Sequence, residues 1–140
     1  MSEGIYPSLT PGTILSLVTL DPISRLQLIK YAGASGDFNP IHTIDEAASS
    51  AGLPGVIAHG MLTMATVGRL FSPFLGDGFL RSFDLRFTGM VFVGDVLTVG
   101  GAITSATPDS PGMVYACDVV ARKQDGSTAA SGTAEFVLLS

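Results

Sequence analysis

The sequence has few residues of the kinds that build disulfides, metal centres and nucleic-acid surfaces. One cysteine, Cys117, excludes an intramolecular disulfide and a cysteine-based metal site, and it fits a reducing cytoplasm. Two histidines, His42 and His59, are too few for us to expect a zinc site. The 7 basic residues are scattered among 12 acidic ones, which argues against nucleic acid as a partner. No apolar run approaches the roughly 20 residues that a membrane span needs, and the N-terminus lacks the pattern of a signal peptide.

What the chain does have is apolar material for a core. It has 140 residues, of which 46% are hydrophobic and 14% charged. This length predicts one domain over residues 1–140. The surplus of apolar surface predicts a subunit interface.

Three helices are predicted in the first half of the chain. Capping boxes begin the first two. The third is the longest and is apolar on nearly all faces, so we expect it to be buried at the centre of the fold. The predicted helices are Arg25 to Ala34 after the box Ser24 and Gln27, residues 44–51 after the box Thr43 and Glu46, and Gly60 to Phe71 with Pro73 as its stop.

Strands are predicted before and after the helices. Alternation of apolar and polar residues predicts at least four antiparallel strands after Gly76. Within them, Gly100-Gly101 is typical of a bulge or bend. Asp125-Gly126 predicts a hairpin turn. The predicted segments are Thr13 to Leu20, Phe83 to Phe87 with its phenylalanines buried, Leu97 to Ile103, a loop at 106–112, Met113 to Val120 and Thr133 to Leu139. The order indicates an α+β fold, a curled antiparallel sheet around one helix.

The stretch Tyr31 to His42, YAGASGDFNPIH, is the first candidate site. It carries a carboxylate, Asp37, and an imidazole, His42, on either side of Pro40. Proline pushes the preceding residue toward extended conformations, so we expect a fixed loop in place of a helix. Such a loop can aim both groups at one point. The competing interpretation is that Asp37 caps a turn and His42 caps a helix.

The second candidate is the run Ala58-His59-Gly60-Met61, where the central helix is predicted to begin. A helix N-terminus exposes unpaired N–H groups, and glycine lets a ligand approach them closely. Gly60 could therefore stabilise a carbonyl oxygen that gains charge, unless the glycine serves only tight packing. We expect His59 to tie the loop to the helix.

The two candidate sites resemble the signature of the MaoC-like hydratases, the (R)-specific enoyl-CoA hydratases. The resemblance is carried by GDFNPIH in the first site and by AHGM in the second. The resemblance extends from about Arg25 through FTGMVFVGDVL to about Leu97. It implies a single hotdog domain that forms dimers and needs no cofactor. It also implies hydration of trans-2-enoyl thioesters, carried by coenzyme A or acyl carrier protein, to (R)-3-hydroxyacyl thioesters, or the reverse dehydration.

The resemblance also implies roles for individual residues. The catalytic acid falls on Asp37, the catalytic histidine on His42, a supporting asparagine on Asn39, and the backbone donor to the thioester oxygen on Gly60. Gly68 stands where some members have a serine. Candidate walls of the acyl tunnel are Met61, Met64, Leu70, Phe71 and Phe74, and candidate phosphate contacts, kept outside the site, are Arg81 and Arg86.

Three alternatives stay open. A hotdog thioesterase commonly carries a carboxylate on its central helix, and residues 60–75 contain none. The run YAGASGDFNPIH also resembles the catalytic subunit of heterodimeric 3-hydroxyacyl-carrier-protein dehydratases, which would require a partner subunit. A non-catalytic acyl-binding module is disfavoured because both acid–base residues are present.

Overall fold

The fold is a five-stranded antiparallel sheet that curls around one helix, so the predicted α+β hotdog class is confirmed. A computed structural model describes residues 9–109 and 112–139. No helix in these two ranges is long and apolar enough to cross a membrane. The elements are β1 (Val18–Thr19), α1 (Arg25–Ser35), a 3-10 turn (Pro40–His42), α2 (Asp45–Ser50), α3 (Gly60–Gly68), its 3-10 extension (Arg69–Phe74), β2 (Gly78–Phe87), β3 (Thr98–Asp109), β4 (Gly112–Arg122) and β5 (Thr128–Leu139).

The sheet has the strand order β1-β3-β4-β5-β2, with every pair antiparallel. The β4–β5 hairpin turns at Gly126, whose φ of 85° confirms the turn predicted from the Asp-Gly pair. The central helix packs on this sheet: Val67 and Phe71 share one buried cluster with Ile103 and Phe136. The rings of Phe71 and Phe136 lie 5.5 Å apart between centroids, so the core sits between helix and sheet.

The central helix differs from its prediction in burial and length. Met61 is 58% exposed, so the helix is not buried on all faces; Leu62 and Val67 lie on its buried side. The winding tightens after Gly68 and continues to Phe74 with Pro73 inside the 3-10 extension. Proline is accommodated there because its fixed φ lies within the 3-10 range.

Of the two predicted helix caps, the first is confirmed and the second is wrong. The Ser24 hydroxyl accepts a hydrogen bond from the Gln27 N–H at 3.1 Å. In contrast, α2 begins after Ile44, which makes no side-chain cap bond. Thr43 instead ends the preceding 3-10 turn, where its N–H donates to the Pro40 carbonyl and is therefore not free for the side chain of Glu46.

The sheet corrects several predicted boundaries. The predicted loop at 106–112 is mostly strand, since β3 and β4 stay paired out to Asp109 and Gly112. The first strand is short: only Val18–Thr19 pair as a strand, and Ile14 adds an isolated bridge. Phe87 is 46% exposed, so it lies outside the core.

Of the bulge or bend predicted at Gly100-Gly101, the bulge is wrong, because the register shifts further along, between Ile103 and Ser105. Gly101 serves close packing: a Cβ there would lie 2.9 Å from the Asp118 carbonyl oxygen. Glycine is therefore required here because the backbone of the neighbouring strand lies close to it. The sequence pattern alone does not distinguish this cause from a bulge.

Candidate active site

Asp37 lies just after α1, where the chain reverses. Gly36 ends the helix at a φ of 78°, a conformation that glycine adopts without strain. The Ser35 hydroxyl accepts from the N–H of Asp37 at 3.1 Å, and Oδ1 of Asp37 accepts from the N–H of Asn39 at 3.2 Å. Because the loop occupies Oδ1, the carboxylate presents Oδ2 outward, and the side chain is 49% exposed.

His42 ends the 3-10 turn that follows, so the expected loop contains one helical turn where none was predicted. The turn begins at Pro40 and is capped by Asn39, whose Oδ1 accepts from the N–H of Ile41 at 3.2 Å. His42 is buried, and its Nδ1 lies 2.7 Å from the Ile57 carbonyl oxygen. A carbonyl only accepts, so Nδ1 carries the hydrogen and the neutral ring keeps its lone pair on Nε2.

The free nitrogen of His42 faces the free oxygen of Asp37. Nε2 and Oδ2 are 3.7 Å apart, which is longer than a direct hydrogen bond. Both atoms are acceptors when His42 is neutral and Asp37 ionised. A water molecule, which has two hydrogens to donate, can bridge them. The structure thus brings the two predicted residues together around a position suited to one water.

His59 joins this loop to the start of α3, as the sequence predicts. Its Nε2 donates to the Asp37 carbonyl oxygen at 3.2 Å, and the ring of Tyr31 packs edge-on against it at 4.8 Å between centroids. Burial, and then the nearby His42, lower the pKa of His59 below its ordinary value, so the ring is neutral at pH 7. Its buried Nδ1 has no hydrogen-bond partner among the described residues.

Gly60 is the first residue of α3 and is exposed. The first N–H groups of a helix have no partner within it. A Cβ at Gly60 would lie 3.5 Å from the ring of Phe87, so this ring borders the approach to the amide. The role of the amide as an oxyanion donor stays a prediction.

Asp37, His42 and His59 place three potential metal-binding atoms within 4.8 Å of one another. The arrangement does not suit a cation. The two imidazole rings are stacked, with centroids 3.9 Å apart and 25° between their planes, so their lone pairs lie in two separate, nearly parallel planes, which is unfavourable for binding one ion between them. In addition, Nε2 of His59 carries a hydrogen for Asp37.

Two expectations about the surroundings need qualification. Leu70 and Phe71 belong to the buried core, and Phe74 stacks on Phe136 with ring centroids 5.0 Å apart. These three predicted tunnel residues therefore contribute to core packing. The guanidinium of Arg81 lies 3.5 Å from the carboxylate of Asp109 and 3.6 Å from that of Glu135. The predicted phosphate contact is therefore already paired with two acidic side chains on the sheet surface.

Sequence reasoning missed Ile57, whose carbonyl sets the tautomer of His42. A backbone acceptor leaves no side-chain signature, and the two residues are 15 apart in the chain. The segment before α3 is brought to the loop by pairing, since the N–H of Ile57 donates to the Ile41 carbonyl at 3.1 Å.

An antiparallel sheet curled around one long helix is the architecture of a hotdog domain, and here a carboxylate and an imidazole face each other near the N-terminus of that helix. The sequence model of the MaoC-like domain matches residues 9–109. The chain therefore belongs to the MaoC-like domain family. Proteins similar to it include an (R)-hydratase, a 3-hydroxyacyl-thioester dehydratase and a 3-hydroxyacyl-[acyl-carrier-protein] dehydratase.

Among proteins of assigned activity, 3-hydroxyacyl-thioester dehydratase X of Mycobacterium tuberculosis is 46% identical over 61 residues, which are 44% of this chain and 20% of that protein. The fatty acid synthase β subunit of Aspergillus oryzae is 47% identical over 72 residues, 49% of this chain. The chain thus spans only 4% of the length of the fungal synthase subunits that it matches.

Solved structures share the whole fold. The (R)-hydratase from A. caviae involved in PHA biosynthesis superposes with a TM-score of 0.78 at 27% identity, over 95% of this chain and 99% of that one. The ChsH1–ChsH2 complex from Mycobacterium tuberculosis gives 0.79 at 21% identity, over 91% and 97%; this likeness concerns the fold alone.

Proposed function

We propose that this protein catalyses the (R)-specific hydration of trans-2-enoyl thioesters to (R)-3-hydroxyacyl thioesters, or the reverse dehydration. The observation that carries the proposal is the 3.7 Å approach of Nε2 of His42 to Oδ2 of Asp37, with the opposite nitrogen of His42 held by Ile57. Membership of the MaoC-like family supports the same class of reaction.

In the hydration direction, Asp37 and His42 hold one water between them. One group takes a proton from this water as its oxygen bonds to the β-carbon. The group that has taken this proton then gives it to the α-carbon from the same side, so that the hydroxyl and the proton of one water add across the double bond and both groups return to their starting state. Each positioned acid or base contributes about 100- to 10,000-fold in rate. Syn addition and the (R) product follow from the family resemblance.

The thioester oxygen carries enolate-like charge during this addition. The N–H of Gly60, at the positive end of α3, is the donor that we assign to it. Loss of such a donor costs roughly 3–4 kcal/mol of transition-state stabilisation in other enzymes. Asn39 supports the pair by capping the turn that carries His42.

The test is a hydration assay across trans-2-enoyl-CoA chain lengths, with the handedness of the product determined. We expect Asp37→Asn and His42→Ala each to lower turnover at least about 100-fold with unchanged circular dichroism. Asp21→Asn, which alters an exposed carboxylate before α1, is the matched control and should retain full activity. Near-normal turnover in either site variant would reject the assignment, and release of free thiol would indicate a thioesterase.

We propose a homodimer in the cytoplasm as the working form. Phe38, Met61 and Phe87 are 69%, 58% and 46% exposed, and a second copy would cover apolar surface of this kind. The second candidate is the catalytic subunit of a heterodimeric dehydratase, which the run YAGASGDFNPIH also resembles. Mass measurement of the purified protein separates the two: a stable monomer without activity would favour the heterodimer.

A further inference from the structure

Asp95 is buried at the centre of a partly buried polar network, here called the Asp95 network (Phe92, Asp95, Lys123 and Gln124). Oδ2 of Asp95 accepts from the Phe92 N–H at 2.8 Å and pairs with Nζ of Lys123 at 2.8 Å, while Oδ1 accepts from Nε2 of Gln124 at 2.8 Å. Burial raises the pKa of Asp95, but these hydrogen bonds outweigh it and hold the pKa below its ordinary value. Both carboxylate oxygens of the buried Asp95 thus have hydrogen-bond partners, and a polar network satisfied in this way is rigid.

The Asp95 network fastens the turn 90–95 to the tip of the β4–β5 hairpin. Lys123 donates to the Met90 carbonyl oxygen at 3.0 Å, and its ammonium lies 5.1 Å from the centre of the Phe92 ring. Lys123 is 28 residues beyond Asp95 in the chain. The turn is therefore held from outside by the hairpin.

The same turn pairs with the segment that enters α3. The Val91 carbonyl accepts from the N–H of Ala58 at 2.7 Å, and Phe92 forms an antiparallel bridge with Ile57. The Ile57 carbonyl is the acceptor for Nδ1 of His42. Ile57 thus lies between the catalytic imidazole on one side and the fastened turn on the other.

The position of this carbonyl decides which nitrogen of His42 can act as a base. If the carbonyl withdraws, nothing described in the structure holds the hydrogen on Nδ1. The ring can then carry its hydrogen on Nε2, the nitrogen that faces Asp37, and that tautomer cannot take a proton from the bridging water.

We propose that Asp95 and Lys123 are positioning residues for the acid–base pair, because they hold the turn that keeps the Ile57 carbonyl on Nδ1 of His42. The inference rests on the proposed function. It adds to it that a salt bridge on the far side of the turn selects the active tautomer.

The test uses Lys123→Met, which keeps most of the aliphatic stem and removes the ammonium. The matched control is Lys30→Met, since Lys30 is the one other lysine of the chain and is exposed on α1. The first readout is the ¹⁵N chemical shifts of the imidazoles, which report the tautomer; with two histidines in the chain, His42→Gln assigns the signals. The second is amide hydrogen exchange at Ala58, with Cys117 in β4 as the internal reference.

We expect the wild type and Lys30→Met to show the Nδ1–H tautomer of His42 and slow exchange at Ala58. In Lys123→Met the Nε2–H tautomer should become populated, Ala58 should exchange at least about tenfold faster with Cys117 unchanged, and kcat should fall about 10- to 100-fold with little change in KM. Lys123→Arg, which restores a cationic donor, should recover part of the loss. If Lys123→Met does not fold, Gln124→Ala is measured in the same way.

An unchanged tautomer and unchanged exchange at Ala58 would overturn the inference, and so would equal acceleration at Ala58 and Cys117, which reports loss of global stability only. Failure of the proposed function looks different. In that case the wild type shows no hydration of any enoyl thioester, while the tautomer and the exchange at Ala58 still respond to Lys123→Met.

Discussion

The imidazole rings of His42 and His59 lie stacked, with centroids 3.9 Å apart and 25° between the planes. His59 also donates through Nε2 to the carbonyl of Asp37, so one side chain contacts both members of the acid–base pair. Because burial lowers its pKa, His59 remains neutral and does not compete for the proton in transfer. It is a positioning residue in the proposed reaction.

Two replacements at His59 separate its contacts. His59→Phe keeps an aromatic face for His42 and loses the donor to Asp37, whereas His59→Gln keeps a donor and loses the ring. We expect each to lower kcat about 10- to 100-fold, because either change lets one member of the pair shift. Steady-state kinetics on an enoyl-CoA measure the effect. Wild-type kcat in both variants would show that the stack has no bearing on the chemistry.

The lowered pKa of His59 also predicts a pH dependence of stability. In the unfolded chain His59 binds its proton as the pH falls through about 6.5; in the folded protein it does so only at lower pH. Protonation therefore favours the unfolded chain, and the free energy of unfolding decreases on going from pH 7 toward pH 5. Urea titrations should show a smaller decrease in His59→Phe. An equal decrease in the free energy of unfolding in both proteins would contradict the assignment to His59. Asp95, whose pKa is also lowered, should reduce stability only at more acidic pH, where its carboxylate becomes protonated.

Periodicity and turn chemistry predict the central helix, the hairpins and the approach of Asp37 to His42, because these depend on residues close in sequence. The start of α2 could not be predicted. Thr43 fits a local cap pattern, but in the structure its N–H donates to the Pro40 carbonyl of the preceding 3-10 turn. Lys123, 28 residues from its partner Asp95, gives no local signal of that contact. That residues 1–140 form one domain stays a prediction, as do the roles of the four site residues.

Asn39 caps the 3-10 turn that carries His42, because its Oδ1 accepts a hydrogen bond from the N–H of Ile41. Asn39→Ala removes this cap and should cost about 1 kcal/mol of folding free energy. It should also lower kcat, because the 3-10 turn carries His42. Asn39→Asp keeps the acceptor and is the matched comparison for stability by urea unfolding. Equal stability of the alanine variant and the wild type would mean that Pro40 alone holds the turn.

The oxyanion role of Gly60 can be tested by removing a single hydrogen. Gly60 is the first residue of α3, a position where proline is well accepted because the N–H there has no helical partner. His59 before it already has the extended backbone, with φ −61° and ψ 135°, that a following proline requires. Gly60→Pro should therefore fold; it replaces the proposed donor N–H with a ring carbon on the same nitrogen.

We expect Gly60→Pro to lower kcat about 100- to 1,000-fold, the usual cost of one oxyanion donor. Gly60→Ala is the matched control, since it keeps the N–H and its Cβ would meet the Phe87 ring at 3.5 Å, an ordinary contact. The alanine variant should change KM more than kcat, because the methyl group narrows the approach without removing the hydrogen bond. If both variants lose kcat equally, space at Gly60 matters and its N–H does not.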